Sequence, residues 1–204
     1  MVSKQSMKEQ ILRASEEEED FSNVNFCGES MEKEQFSGTA FHGGRLEDCR
    51  ILGCETENLY FEDIIFEGCD LSNSSFAKSC FRRVRFIRCR LTGTNFPDSV
   101  FDSVEFSDCS CQWMGISSGK LKRTAFRNCD LTECAFQECT LKDALFQSCI
   151  LRKSDFLHTS LRGIDLASDE IGGLVVSGPE LRGAHVTMMQ ACDLSRYLGL
   201  IISS

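Results

Sequence analysis

Phe126-Arg127-Asn128-Cys129-Asp130-Leu131-Thr132-Glu133-Cys134-Ala135-Phe136 contains the rule by which the chain is written. A large apolar residue stands at 126, 131 and 136, a cysteine lies two places before each of the last two, and polar or small residues fill the rest. Extended outward, this five-residue frame holds all 16 phenylalanines, from Phe21 to Phe156. Leu, Ile, Val or Met takes the other frame positions through Val186, and only Thr56 and Cys111 break the series. An uninterrupted repeat of this kind dictates an architecture in which each unit buries its apolar side only against its neighbours.

A period of five matches neither the helix nor the strand, so the chain must turn once per repeat. The frame residue and the residue two before it share a face, as in a short extended edge, and the other three point outward. Gly or Asn two places after the frame position, as at Gly28, Gly53, Gly93, Asn58 and Asn128, suits the positive φ of a tight turn. Like residues align best at a step of twenty. One column reads Phe66, Phe86, Phe106, Phe126, Phe146, and another, Ile51, Leu71, Leu91, Cys111, Leu131, Leu151, is free of aromatics. Four edges therefore close one coil.

The frame leaves no room for a domain boundary inside 21–186, which divides the chain into an acidic segment at 1–20, the coil at 21–186 and a tail at 187–204. No apolar stretch approaches a membrane span and no signal-peptide core precedes the acidic run Glu16–Asp20, so a reducing cytoplasm is the expected location. Thirteen cysteines raise the question of disulfides or a metal. Nine of them, including the run Cys49, Cys69, Cys89, Cys109, Cys129, Cys149, fall two before a frame position, where Ser, Thr, Ala and Val stand elsewhere. They read as small core fillers, with neither cofactor nor metal expected.

Stretches such as Cys129-Asp130-Leu131-Thr132-Glu133 and Ser154-Asp155-Phe156-Leu157-His158 resemble the pentapeptide-repeat family over about residues 21–186. The resemblance implies an all-β, right-handed quadrilateral β-helix of slightly more than eight coils, ending in a C-terminal helix. That helix is read from Met188, Ala191, Leu194, Tyr197 and Leu198 at helical spacing, with Gly199 as its stop. The spacing of Gln190-Ala191, Leu194 and Leu198-Gly199-Leu200 is similar to the end of the Qnr-type quinolone-resistance proteins. In those, as the resemblance implies, this segment makes a head-to-head homodimer, and the rod binds DNA gyrase and topoisomerase IV as an acidic mimic of duplex DNA. The dimerisation residues so implied are Gln190, Ala191, Leu194, Tyr197, Leu198 and Leu200. The frame never slips, so the chain looks like the members without projecting loops.

A net charge of −9 suits a mimic of DNA better than a nucleic-acid binder. Residues 1–70 carry 17 acidic and 6 basic side chains, whereas 71–204 carry 14 and 16. Glu47, Asp48, Glu57, Glu62 and Glu67 are accordingly the candidate acidic contacts for a partner. The cluster Arg82, Arg83, Arg85, Arg88, Arg90 is expected to dissolve into pairs one coil apart: Arg82 with Glu62 and Asp102, Arg83 with Asp63, Arg85 with Glu105, Arg88 with Asp108, Arg90 with Asp70. The stretch Cys109–Ile116 reads as a locally bulged coil, and its outward Trp113 is a candidate contact. His42, His158 and His185 stand apart on outward positions, so the expectation is no enzyme. The competing class is an interaction scaffold with a partner other than a topoisomerase.

Overall fold

The computed structural model describes residues 6–17 and 19–200, with Leu198 described in its backbone only. Residues 21–186 wind into a β-solenoid with one coil per twenty residues. Phe21 pairs with Phe41, Phe41 with Phe61, Phe86 with Phe106 and Phe126 with Phe146, always in parallel. Between coils the Leu71 N–H donates to the Arg90 carbonyl at 2.8 Å and the Leu91 N–H to that of Ser110 at 2.7 Å.

Two adjacent faces form one eleven-stranded sheet, because Phe21–Cys27, Ala40–Glu47 and Tyr60–Glu67 run on around the corner between them. The other two faces hold short ladders, Ser30–Glu32 with Arg50–Leu52 and Gln35–Ser37 with Glu55–Glu57 and Ser75–Ala77. Strands persist for about six turns, to Gln147. Single bridges carry the same step onward to Asp165 with His185. Pairing also runs evenly through the segment expected to bulge, from Arg90 to Ser110 to Asp130 and from Asn95 to Gly115 to Ala135. That expectation is corrected: Cys111 replaces an aliphatic frame residue without displacing backbone.

The coil pitch stacks the aromatic columns ring on ring. Phe86, Phe106 and Phe126 follow one another with centroids 4.7 Å apart and planes within 7°, and neighbouring faces meet edge to face, as Phe126 and Phe136 do at 82°. Both arrangements suit the ring quadrupole.

The small position two before the frame has a second duty besides size. Its side chain donates to the carbonyl 23 residues earlier: Ser99 Oγ to Phe76 at 2.8 Å, Ser154 Oγ to Leu131 at 2.7 Å, Cys69 Sγ to Leu46 at 3.3 Å and Cys109 Sγ to Phe86 at 3.4 Å. Cysteine therefore alternates with Ser and Thr as a compact donor as well as a small apolar group. Burial pushes the Cys139 thiol up to about 11, so it stays protonated and keeps that proton to donate.

At the corners, every residue two past the frame adopts positive φ, from Asn23 to Gly163 without exception. Gly and Asn are the expected occupants, yet of the 22 non-glycine residues in this conformation only four are Asn, and the others include Arg83, Trp113 and Lys153. The inter-coil hydrogen bonds on either side impose the turn, and local preference yields to them.

Each end carries a helix. Helix α1, Met7–Glu17, buries Met7, Ile11 and Ala14, spaced i, i+4, i+7. Ser15 Oγ donates to the Ser37 carbonyl at 2.8 Å and accepts the Ser37 N–H at 3.1 Å, pinning α1 to the first coil. The segment 1–20, read only as an acidic run, thus contains an amphipathic cap; Glu18 of that run lies outside the described residues. Helix α2, Met188–Leu194, begins with a capping box between Thr187 and Gln190. Both helices lie over backbone that would otherwise offer unpaired N–H and C=O groups to another chain.

Candidate interaction surfaces

At the C-terminal end, the residues expected to form a dimer divide into two sets. Gln190 is spent within the chain: its Oε1 accepts the Thr187 N–H at 2.8 Å, and its Nε2 donates to the Leu166 carbonyl at 2.8 Å and to that of Asp169 at 2.9 Å. Leu194 is buried and the Tyr197 hydroxyl donates to the Leu174 carbonyl. These three clamp α2 to the last coil, a role that helical spacing alone does not distinguish from dimerisation. Ala191 and Leu200 do face outward, beside Met188 and Met189, which are 84% and 76% exposed. The two methionines are a surface that helical spacing did not single out, and two large apolar residues in succession at the start of one short helix were the signal. The Leu198 side chain lies outside the described residues. An apolar groove of about 670 Å³ runs between the last coil and α2, lined by Leu181, Ala184, Val186, Ala191, Tyr197 and Leu200 among others.

Two buried carboxylates lie beneath this end and differ in their company. Glu180 accepts the backbone N–H groups of His158, Ser177 and Gly178 and the Ser177 hydroxyl, at 2.8–3.2 Å. Burial pushes the carboxyl up, but these donors outweigh it and bring it down to about 2. Asp169 takes the place that a seventh cysteine would hold after Cys149. Its Oδ1 accepts the Cys149 N–H at 2.7 Å while Oδ2 is buried without a partner among the described residues, and desolvation pushes the carboxyl up to about 6.

At the N-terminal coils the acidic candidates are largely matched by cations. Glu62 meets His42, Arg82 and Arg83; Glu67 meets Arg45 and Arg88; Glu57 lies 3.5 Å from Lys78 and Glu47 4.0 Å from Arg45. Hydrogen bonds from Arg83 hold the Glu62 and Asp63 carboxyls below the usual range. Asp48 makes no ion pair among the described residues.

The pairs expected of the arginine cluster form in part. Arg82 reaches Glu62 at 3.5 Å and Arg83 reaches Asp63 at 2.7 Å. Arg88 turns to Glu67 instead of Asp108, which accepts from Asn128. Arg85 and Glu105 share backbone register, but Glu105 is taken by Arg127 at 3.4 Å. Arg90 and Asp70 likewise share a bridge without an ion pair, the Asp70 carboxylate accepting from Ser72. Coil arithmetic fixes which backbones are neighbours; long side chains then choose a partner diagonally.

Trp113 projects outward, 60% exposed, and its Nε1 donates to Glu133 in the next coil at 2.8 Å. No group of three or more His, Cys, Asp or Glu side chains able to hold a metal is present among the described residues. Nor is any described helix long and apolar enough to cross a membrane.

A twenty-residue coil with an apolar frame and a small donor slot defines a class of protein, and the sequence comparison agrees. Residues 59–133 match a pentapeptide repeat region and residues 129–166 match pentapeptide repeats, together more than half of the chain. The chain belongs to the pentapeptide-repeat family. No curated protein matches it in sequence. Among solved structures it is similar to a trypsin-treated form of QnrB1, a plasmid-mediated fluoroquinolone resistance protein. The identity is 20%, covering 90% of this chain and 97% of that one, at a TM-score of 0.42. It is also similar to HetL, involved in heterocyst differentiation regulation in the cyanobacterium Nostoc sp., at 14% identity, 89% and 95% coverage and a TM-score of 0.37.

Proposed function

We propose that this chain is a dimeric, cytoplasmic DNA mimic that binds DNA gyrase or topoisomerase IV and modulates quinolone action, as the Qnr-type proteins it resembles do. The observation that carries the reading is polarity along the rod. The surplus of carboxylates, 17 against 6 cations in residues 1–70, lies at one end, and the exposed apolar residues Met188, Met189 and Leu200 lie at the other. Two copies joined through α2 would present their acidic coils outward, as two arms of negative charge. A supercoiling assay with purified gyrase, with and without a quinolone, tests this; no change at micromolar protein would sink it.

The second reading, an interaction scaffold whose partner is not a topoisomerase, is favoured by the ion pairs at Glu47, Glu57, Glu62 and Glu67. Carboxylates already engaged by arginine and lysine project less field than a phosphate backbone. Reversing Asp48, which has no such partner, together with Glu62 separates the two readings: inhibition of gyrase falls if these charges act as mimics.

A further inference from the structure

One column of outward side chains, each just after the frame position on a single face, records a change of rule along the rod. It reads His42, Glu62, Arg82, Asp102, Lys122, Lys142, Arg162, Arg182. From Glu62 through Lys122 the sign alternates coil by coil, with Arg82 3.5 Å from Glu62 and Lys122 3.8 Å from Asp102, and His42 lies 3.4 Å from Glu62. From Lys122 onward the alternation ends. Lys122 and Lys142 are direct register partners on adjacent strands, a placement that repulsion disfavours.

On this face no exposed carboxylate follows Asp102. The parallel column on the same face reads Lys120, Thr140, Ser160, Glu180, which adds a cation. Its one carboxylate is buried and fully engaged by Ser177, Gly178 and His158. Lys120, Lys142, Arg162 and Arg182 are exposed and make no ion pair among the described residues. At about 4.8 Å per coil the cations from Lys122 to Arg182 line a strip of about 14 Å.

We propose that this face, Lys120, Lys122, Lys142, Arg162 and Arg182, is a docking surface for an acidic polypeptide segment lying along the rod. An extended peptide presents same-side carboxylates about every 6.6 Å, and the flexible stems of Lys and Arg absorb the mismatch with the coil pitch. A protein ligand fits better than nucleic acid. Glu138 and Asp143 hold the corners on either side of this face and oppose a broad phosphate backbone more than a single narrow strand, and the strip carries no aromatic side chain on which bases could stack. The inference requires neither the acidic coils nor pairing through α2 on which the topoisomerase reading rests, although Arg182 also lines the groove beside α2.

Fluorescence anisotropy with a labelled oligoglutamate peptide, repeated with an oligothymidylate of equal charge, tests it on the full chain. The expected result is binding of the peptide that weakens with added salt and falls about tenfold in a Lys142→Ala, Arg162→Ala double variant. Lys142→Glu restores the alternation found in the first coils, so it should raise the melting temperature while abolishing peptide binding. No peptide binding, undiminished binding by Lys142→Glu, or tighter binding of the oligothymidylate than of the peptide would each overturn the proposal. Loss of peptide binding with a lowered melting temperature in Lys142→Glu would overturn it too, by making the row structural.

Discussion

The Asp169 carboxylate accepts the Cys149 amide N–H at 2.7 Å with one oxygen and leaves the other buried without a partner among the described residues. In the five coils below, the same slot holds a cysteine that donates its own proton to a carbonyl 23 residues earlier, the last being Cys149 to Phe126 at 3.4 Å. An ionised carboxylate has no proton to give, and burial pushes Asp169 up to about 6. Its folded value lies above the unfolded one. Stability from the protonated form is therefore fully present below pH ~4 and is lost as pH rises through ~6. Asp169→Cys or Asp169→Ser should raise stability at pH 7.5 by up to about 3 kcal/mol and remove this pH dependence, read from denaturant midpoints.

Gly44 approaches the coil beneath it too closely for a side chain. A Cβ there would lie 2.0 Å from the Val24 carbonyl oxygen, and its φ of +126° is one that L residues rarely adopt. Backbone cannot swing aside as a side chain can. Gly44→Ala should cost about 3 kcal/mol or more, with thermal unfolding as the check.

Ser148 is the contrary case, a non-glycine residue held at φ 56° on an exposed corner. Only its backbone N–H is used, donating to Ser168 Oγ. Ser148→Gly should relieve about 1 kcal/mol of strain, and a lowered melting temperature would show that the corner is not strained.

Phe106 is fully buried between Phe86 and Phe126 at 4.7 Å on both sides. Phe106→Ala opens the middle of the stack and should cost about 3–5 kcal/mol. Because each coil touches only its neighbours, hydrogen exchange should rise first in the coils around residues 86–126.

At the C-terminal end, docking and pairing can be separated. Gln190→Ala removes the clamp to Leu166 and Asp169, so proteolysis of the α2 segment should accelerate. Met188→Asp with Met189→Asp leaves that clamp in place and alters only the outward side. Sedimentation at the dimer mass for this methionine variant would refute the assembly proposed through α2.

The sequence made the coil legible because every coil repeats the same burial problem, and sixteen phenylalanines in one frame answer it in the same way. It did not disclose α1, whose three buried residues Met7, Ile11 and Ala14 are scattered among charges too short a distance for periodicity to stand out. Nor could it sort Gln190, Leu194 and Tyr197 from Met188 and Met189. A seven-residue helix packed on one side has only one inward face, and which face that is depends on the coil it lands on. The arginine pairs failed for a related reason: register sets Cα neighbours, whereas a guanidinium at the end of four bonds reaches the next column, as Arg88 does to Glu67.

The twenty-residue register also limits how this chain can change in length. An insertion or deletion of five residues keeps the apolar frame but rotates everything after it by one face, setting aromatic columns over aliphatic ones and cations beside new neighbours. Only whole multiples of twenty slide a coil in or out while leaving every stack, donor slot and cap in place. Growth and loss along such a rod are therefore quantised, and its length is a count of coils.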